Sequence, residues 1–189
     1  FGSPILYDTT DIAGVVQSFK PLDYYEDLQL PGLVDEVKIK FYEAGHIFGS
    51  VFVEIHAENK KVVFSGDIGN VNTPILRDTD KLPANVDVLV CESTYGNRLH
   101  EPVQTRQKTL EDMIVKGLDR HGVLMIPSFS LERTQELLYD LNDLIDHQNR
   151  LARLPIYLDS PLAIKATKVY DKYTQYYDAD AKNWLLSGD

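Results

Sequence analysis

The 189-residue chain sets 19 Lys and Arg against 29 Asp and Glu, a formal charge of −10, and is 43% hydrophobic. That supports one domain, or parts of two, with a real core, and argues against disorder. No apolar run approaches the ~20 residues that span a bilayer, so a membrane-spanning protein is excluded, and the acidity weighs against a general nucleic-acid binder. The single cysteine, Cys91, excludes an internal disulfide framework and a cysteine-built zinc site, and it suits a reducing cytoplasm. The start, Phe1-Gly2-Ser3-Pro4, has no Met and no signal-peptide grammar, and the end, Leu185-Leu186-Ser187-Gly188-Asp189, has no helix stop. A processed or excised piece of a longer protein is the expectation.

Ile5, Leu6 and Tyr7 read as a short strand. Thr9 or Thr10 is placed to cap a short helix reaching about Phe19, with Asp11 in its first turn and Pro21 ending it. Over residues 37–43, Val37, Ile39 and Phe41 alternate with Lys38, Lys40 and Tyr42, which predicts a strand. A second strand covers 50–57, with Val51, Val53 and Ile55 on one face and Phe52, Glu54 and His56 on the other. Glu58-Asn59-Lys60 is a turn, and Lys61 to Ser65 returns, so residues 37–65 predict an antiparallel meander. The nearly all-apolar run at 86–91 has the pattern of a buried central strand, in which Cys91 is a packing residue.

From about residue 98 the pattern changes. A helix is predicted over 103–119, with Leu110, Met113, Ile114 and Leu118 apolar, then a strand over 122–127. A helix over 131–147 follows, its stripe formed by Leu137, Leu138, Leu141, Leu144 and Ile145. A strand at 155–158 and a helix from Pro161 complete the series. This alternation predicts parallel strands joined by crossovers, and a domain change near residue 98.

Three predicted strands each end in a residue competent for metal or proton chemistry. His46 stands in Ala44-Gly45-His46-Ile47-Phe48-Gly49-Ser50, where two glycines let a tight loop aim an imidazole; a loop histidine bonded to a backbone carbonyl has the same pattern. Asp67, in Phe64-Ser65-Gly66-Asp67-Ile68-Gly69, is an uncrowded carboxylate able to bridge two cations, or a turn aspartate bonding its own backbone. Glu92 directly follows the apolar run, at the rim of a core, or is a helix-capping or salt-bridged glutamate in a turn. One histidine and two carboxylates do not complete a catalytic zinc site, which takes three protein ligands and an open position. In the second half, Ser130 and Ser160 are placed as helix N-caps, with Glu132 in one first turn and Pro161 at the other first position. Free N–H groups at such helix starts suit phosphate, with Arg133, Lys165 and Lys168 nearby, although plain capping accounts for each serine without a ligand.

These motifs, in this order, resemble the metallo-β-lactamase fold in its nucleic-acid-processing branch, the β-CASP family. Ala44 to Ser50 is similar to that family's third metal motif, Phe64 to Gly69 to its fourth, and Glu92-Ser93-Thr94-Tyr95-Gly96 to its first family-specific acidic motif. Pro127-Ser128-Phe129-Ser130-Leu131-Glu132-Arg133-Thr134-Gln135-Glu136-Leu137 and Tyr157-Leu158-Asp159-Ser160-Pro161-Leu162-Ala163 resemble two stretches of the inserted domain. The implied fold is α/β: a partial metallo-β-lactamase αββα sandwich over residues 1–97, then part of a β-CASP domain with parallel strands and helices over 98–189.

The implied activity is a two-zinc phosphodiesterase in which metal-activated hydroxide attacks phosphorus. His46 would bind one zinc and Asp67 bridge both; Glu92 takes the catalytic assignment, orienting a histidine that protonates the leaving group. Ser128, Ser130, Arg133 and Ser160 are the candidate phosphate contacts. The Glu-Ser-Thr-Tyr-Gly form is closer to RNA-processing members, which implies a single-stranded RNA substrate in the cytoplasm; homodimerisation stays open. The family's His-x-His-x-Asp-His motif and its two late histidine motifs are absent, and His56, His100, His121 and His147 do not replace them. Phe1 to Tyr7 resembles the segment that follows the first of these, so a central segment is expected, binding zinc weakly and not cleaving RNA by itself. A non-catalytic scaffold or RNA-binding protein of the same family is the alternative. A hydrolase of small esters or thioesters is a further one, which the helix-rich second half disfavours.

Overall fold

The computed structural model describes residues 6–187 apart from 31, 33–36, 101 and 103. Its centre is the meander: β2 (Lys38–Glu43), β3 (Val51–Ala57) and β4 (Lys60–Phe64) pair antiparallel in sequence order. Glu58 and Asn59 both take positive φ (50° and 57°), the conformation that lets a two-residue hairpin follow strand twist. Tyr42 and Phe52, directly opposite across β2 and β3, stack with centroids 4.9 Å apart, and Phe52 and Val63 are buried.

A short β1 (Asp27–Gln29) adds antiparallel to β2, and β5 (Val88–Val90) adds parallel to β4, giving a mixed five-stranded sheet in the order β1-β2-β3-β4-β5. β1 was not expected, because three residues reading Asp-Leu-Gln carry almost no alternation. β5 corrects the expectation of a buried central strand. It is an edge strand, with Val88, Leu89 and Val90 44–50% exposed, and Cys91 just beyond it is exposed rather than packed. Apolar sequence reports a need for cover, and among the described residues nothing lies beyond β5 to supply it.

The helices are α1 (Ile12–Gln17), α2 (Gln104–Asp119), α3 (Arg133–Asn142), α4 (Pro161–Lys172) and α5 (Ala179–Ser187). A π-helical turn, Asp143–His147, carries α3 to the end expected for it, closed by Gln148 N–H donating to the Asp143 carbonyl. At α1 the capping expectation fails. Asp11 holds the N-cap position, and the Thr10 hydroxyl instead donates to Asp8. Leu6 and Tyr7 are exposed and outside any strand; Ile5 lies outside the described residues.

The parallel strands expected at 122–127 and 155–158 do not form among the described residues. Both segments lack ladder partners, and Val123, Met125 and Tyr157 are 84–91% exposed. A strand gains its hydrogen bonds only from a neighbour, and neither segment has one in register. The helices that flank them pack on each other instead. Ile114 of α2 joins Leu141, Leu144 and Leu151 in one core cluster, whereas Met113 and Leu118 of the same helix are about half exposed. A second cluster, Ile75, Tyr170, Tyr177 and Ala181, with Phe48 against it, joins the segment after β4 to α4 and α5. No helix among the described residues is long and apolar enough to cross a membrane.

Candidate active site

Strand direction decides where the three predicted residues meet. β2 and β4 both run antiparallel to β3, and β5 runs parallel to β4, so β2, β4 and β5 all point the same way. Their carboxyl ends therefore lie along one end of the sheet. His46 follows β2, Asp67 follows β4 and Glu92 follows β5.

The loops that carry them are bonded together. In the first, the Ser50 hydroxyl accepts from the His46 and Ile47 N–H groups at 3.0 and 3.2 Å, tying the backbone and leaving His46 half-buried. Gly69 N–H donates to the Ala44 carbonyl at 2.8 Å, so the Asp67 loop lies against the His46 loop. The approach is closer than any side chain permits: a Cβ on Gly69 would fall 1.6 Å from the Gly45 carbonyl oxygen. Glu92 then ties the third end to the second. Its carboxylate accepts from Ile68 N–H at 2.8 Å and from Thr94 N–H at 3.3 Å, while its own N–H donates to the Ser65 hydroxyl at 2.9 Å. The bonds from Ile68 and Thr94 hold the Glu92 carboxyl below the usual carboxylate range, with a smaller contribution from His46, so it is ionised at neutral pH.

Asp67 itself is exposed, between Gly66 (φ +54°) and Ile68. His46 and Asp67 thus project from abutting loops as an imidazole and a free carboxylate, donor types that suit zinc. Among the described residues no three His, Cys, Asp or Glu side chains form a group able to hold a metal ion. The donor chemistry fits zinc, and the donor number is short of a complete centre.

Beneath the His46 loop lies a polar support that sequence reading missed. Glu43, the last residue of β2, is buried and accepts from Gly45 N–H at 2.8 Å, and burial pushes its carboxyl up. Asp80 accepts from Glu43 N–H and from the Tyr25 hydroxyl, both at 2.9 Å; burial, then Asp80, pushes that phenol up to about 12. The available signal was an acidic residue one place ahead of the glycine-flanked histidine motif.

In the second half the structure brings together two of the four candidate phosphate contacts. The Ser130 and Ser160 hydroxyls are 3.4 Å apart. Ser160 caps α4 as expected, accepting from Ala163 N–H at 3.2 Å. Ser130 does not cap α3, which corrects that expectation. Glu132 occupies the N-cap position, and Arg133 and Thr134 N–H donate to the Leu131 and Phe129 carbonyls, so these amides are not free for an anion. Ser128 is exposed and stands apart, and Arg133 is paired with Glu136 at 2.8 Å.

Glu132 is the second residue the sequence did not single out, since a charged residue in a helix first turn reads as solvated. It is 1% exposed, in a positive-φ conformation (63°, −63°) that is rare outside glycine. One carboxylate oxygen accepts from the Tyr170 hydroxyl at 2.5 Å and from Phe48 N–H at 3.1 Å. The other has no partner among the described residues. Burial, reinforced by the charge of Glu136, pushes this carboxyl up to about 7 against the bonds from Tyr170 and Phe48.

Comparison with known proteins finds a matching domain and relatives along the chain. Residues 134–187 match the Beta-Casp domain. Ribonuclease TTHA0252 of Thermus thermophilus is 36% identical over 178 residues, 94% of this chain and 39% of that protein. The RNase J-like protein of Methanocaldococcus jannaschii is 34% identical over 183 residues, 95% of the chain and 42% of the relative. Endoribonuclease YSH1 of Yarrowia lipolytica is 33% identical over 170 residues, 90% and 20% respectively. Residues 134–187 carry the Beta-Casp domain, and the chain is similar to these ribonucleases over nearly its whole length. It spans about two fifths, or less, of the length of these relatives. The β-CASP match begins at Thr134, so α4, α5 and nearly all of α3 lie within it, and Glu132 stands just ahead of it.

Proposed function

We propose that this chain supplies part of the active site of a zinc-dependent RNA phosphodiester hydrolase. One observation carries the reading: the loops bearing His46, Asp67 and Glu92 converge at one end of the sheet and are hydrogen-bonded to one another. The names of the relatives, ribonuclease and endoribonuclease, support RNA as the substrate class. His46 and Asp67 would hold zinc, with the remaining ligands outside the described residues. A bound zinc pair would supply an activated water and stabilise charge on the attacking and leaving oxygens.

The chain's own residues do the positioning. Glu92, ionised and bonded to Ile68 N–H, fixes the loop on which Asp67 stands, and Ser50 fixes the backbone of His46. Ser130 and Ser160 offer paired hydroxyls to a phosphate oxygen, which would let a chain of net charge −10 hold RNA through local contacts. On this reading residues 1–97 belong to the metallo-β-lactamase part and 98–189 to the inserted part, and the exposed thiol of Cys91 suits a reducing, cytoplasmic setting.

The test is cleavage of single-stranded RNA and single-stranded DNA by the intact gene product that carries these residues. RNA cleavage should be lost on chelation, restored by zinc, and reduced about a hundredfold or more by Asp67→Ala. Folded protein that binds RNA yet never cleaves it, with or without zinc, would establish the non-catalytic scaffold instead.

A further inference from the structure

The His46 loop is anchored on two sides, and the second anchor lies outside the sheet. Gly45 (φ +64°) and Gly49 (φ +85°) flank the segment and let its backbone turn at both ends. On the sheet side, Gly69 and the Ser50 hydroxyl hold it. On the other side Phe48, two residues after His46, leaves the sheet and enters the second half. Its ring stacks on Tyr170 with centroids 4.4 Å apart and meets Tyr177 edge-on at 5.9 Å. Stacking alone fixes a ring loosely, since an aromatic face tolerates sliding. A hydrogen bond on the backbone of the same residue removes that freedom.

Glu132 makes that bond. Its carboxylate takes Phe48 N–H with one oxygen, and the same oxygen takes the hydroxyl of Tyr170, the ring on which Phe48 lies. The side chain is 1% exposed and its backbone is held at positive φ. A buried carboxylate in a rare backbone conformation persists only where surrounding contacts over-determine it. Capping does not account for it, because Glu132 makes no side-chain bond to the start of α3.

We propose that Glu132 is a positioning residue that, with Tyr170, locks the His46 loop to the second half of the molecule. The placement of the His46 loop at the end of the sheet then depends on the docking of α3 and α4, and neither half sets it alone. This rests on the reading of His46 as a metal ligand only for its consequence at the metal; the lock itself is a property of the polypeptide.

Amide hydrogen exchange on the 189-residue chain without metal tests the lock. Glu132→Gly removes the carboxylate while suiting the positive φ, so it avoids the strain that alanine would meet. It should raise exchange at residues 46–49 about tenfold or more and leave the amides of β2, β3 and β4 unchanged. Glu132→Gln, which keeps an acceptor oxygen, should restore protection to within about threefold of the wild type. Tyr170→Phe keeps the stacked ring and should give an intermediate rise. Unchanged exchange at 46–49 in Glu132→Gly overturns the proposal, and so does an equal rise in loop and sheet, which would mark a general loss of stability. Zinc titration of the intact gene product gives an independent readout: Glu132→Gly should weaken binding about tenfold, with rescue by Glu132→Gln. Wild type that binds no zinc would defeat the proposed function and leave the exchange result to judge the lock.

Discussion

The two halves of the candidate site are held by opposite means. At the sheet end, the His46 and Asp67 loops are held by backbone groups that find partners over short distances: Gly69 to Ala44, His46 to Ser50, Ile68 to Glu92. At the start of α3, carboxylates and an amide are buried with oxygens left over. One side-chain oxygen each of Glu132, Gln135 and Glu136 has no hydrogen-bond partner among the described residues. The first region pairs its carboxylates and hydroxyl with backbone N–H groups of the loops. The second carries desolvated polar groups, so its stability depends on charge state. The same contrast runs through the strands: β5 finds β4 through a connection of local turns, whereas 122–127 and 155–158 reach no neighbour.

The sharpest way to break the first region is steric. Gly69→Ala should cost more than about 3 kcal/mol, because its Cβ has nowhere to go but into the Gly45 carbonyl. Urea unfolding reads the loss, and the His46 ring signals should move with it. A loss below about 1 kcal/mol would mean that the two loops separate easily.

The second region should respond to pH. Glu132 has a folded-state pKa raised to about 7, above its unfolded value. Its contribution is therefore fully present below the unfolded pKa and is lost as pH rises through about 7, with unfolding free energy falling across the window from about 4.5 to 7. The loss amounts to at most about 3 kcal/mol. Paired carboxylates such as Asp8 and Asp87 titrate in the opposite sense, so the difference between wild type and Glu132→Gln isolates the effect. A constant difference across that window would remove Glu132 as its source.

The smallest expected effects separate the two serines. Ser160→Ala removes a side-chain cap and should cost about 1 kcal/mol by thermal unfolding. Ser130→Ala removes no cap and should stay within about 0.5 kcal/mol. Equal losses would show that the contact between the two hydroxyls, not capping, is what matters.

Much of the sheet was legible because alternation and turn chemistry are local: β2, β3 and β4 follow from Val, Ile and Phe at every second place and from the turn at Glu58-Asn59-Lys60, of which Lys60 proves to be already in β4. β5 was legible as a strand and misread as buried, since apolarity cannot tell an edge from a centre. The capped start of α4 was legible in Ser160-Pro161, whereas the start of α3 was not, because its first amides turn to backbone carbonyls that no motif announces. His46, Asp67 and Glu92 were legible as candidates, each at a strand end flanked by residues that fit it. Glu43 and Glu132 were not, because nothing in a glutamate's neighbours in sequence says that it is buried.

By itself the sequence determined which residues stand as candidates for chemistry and which strands present them, since side-chain type, period and glycine placement act over a few residues. Tertiary structure alone decided that those residues share one end of the sheet and that Gly69 must be bare. It also decided that a glutamate 84 residues further along the chain grips the loop of His46 through Phe48. Strand direction and close packing join distant parts of the chain, and no local pattern encodes which distant group will arrive.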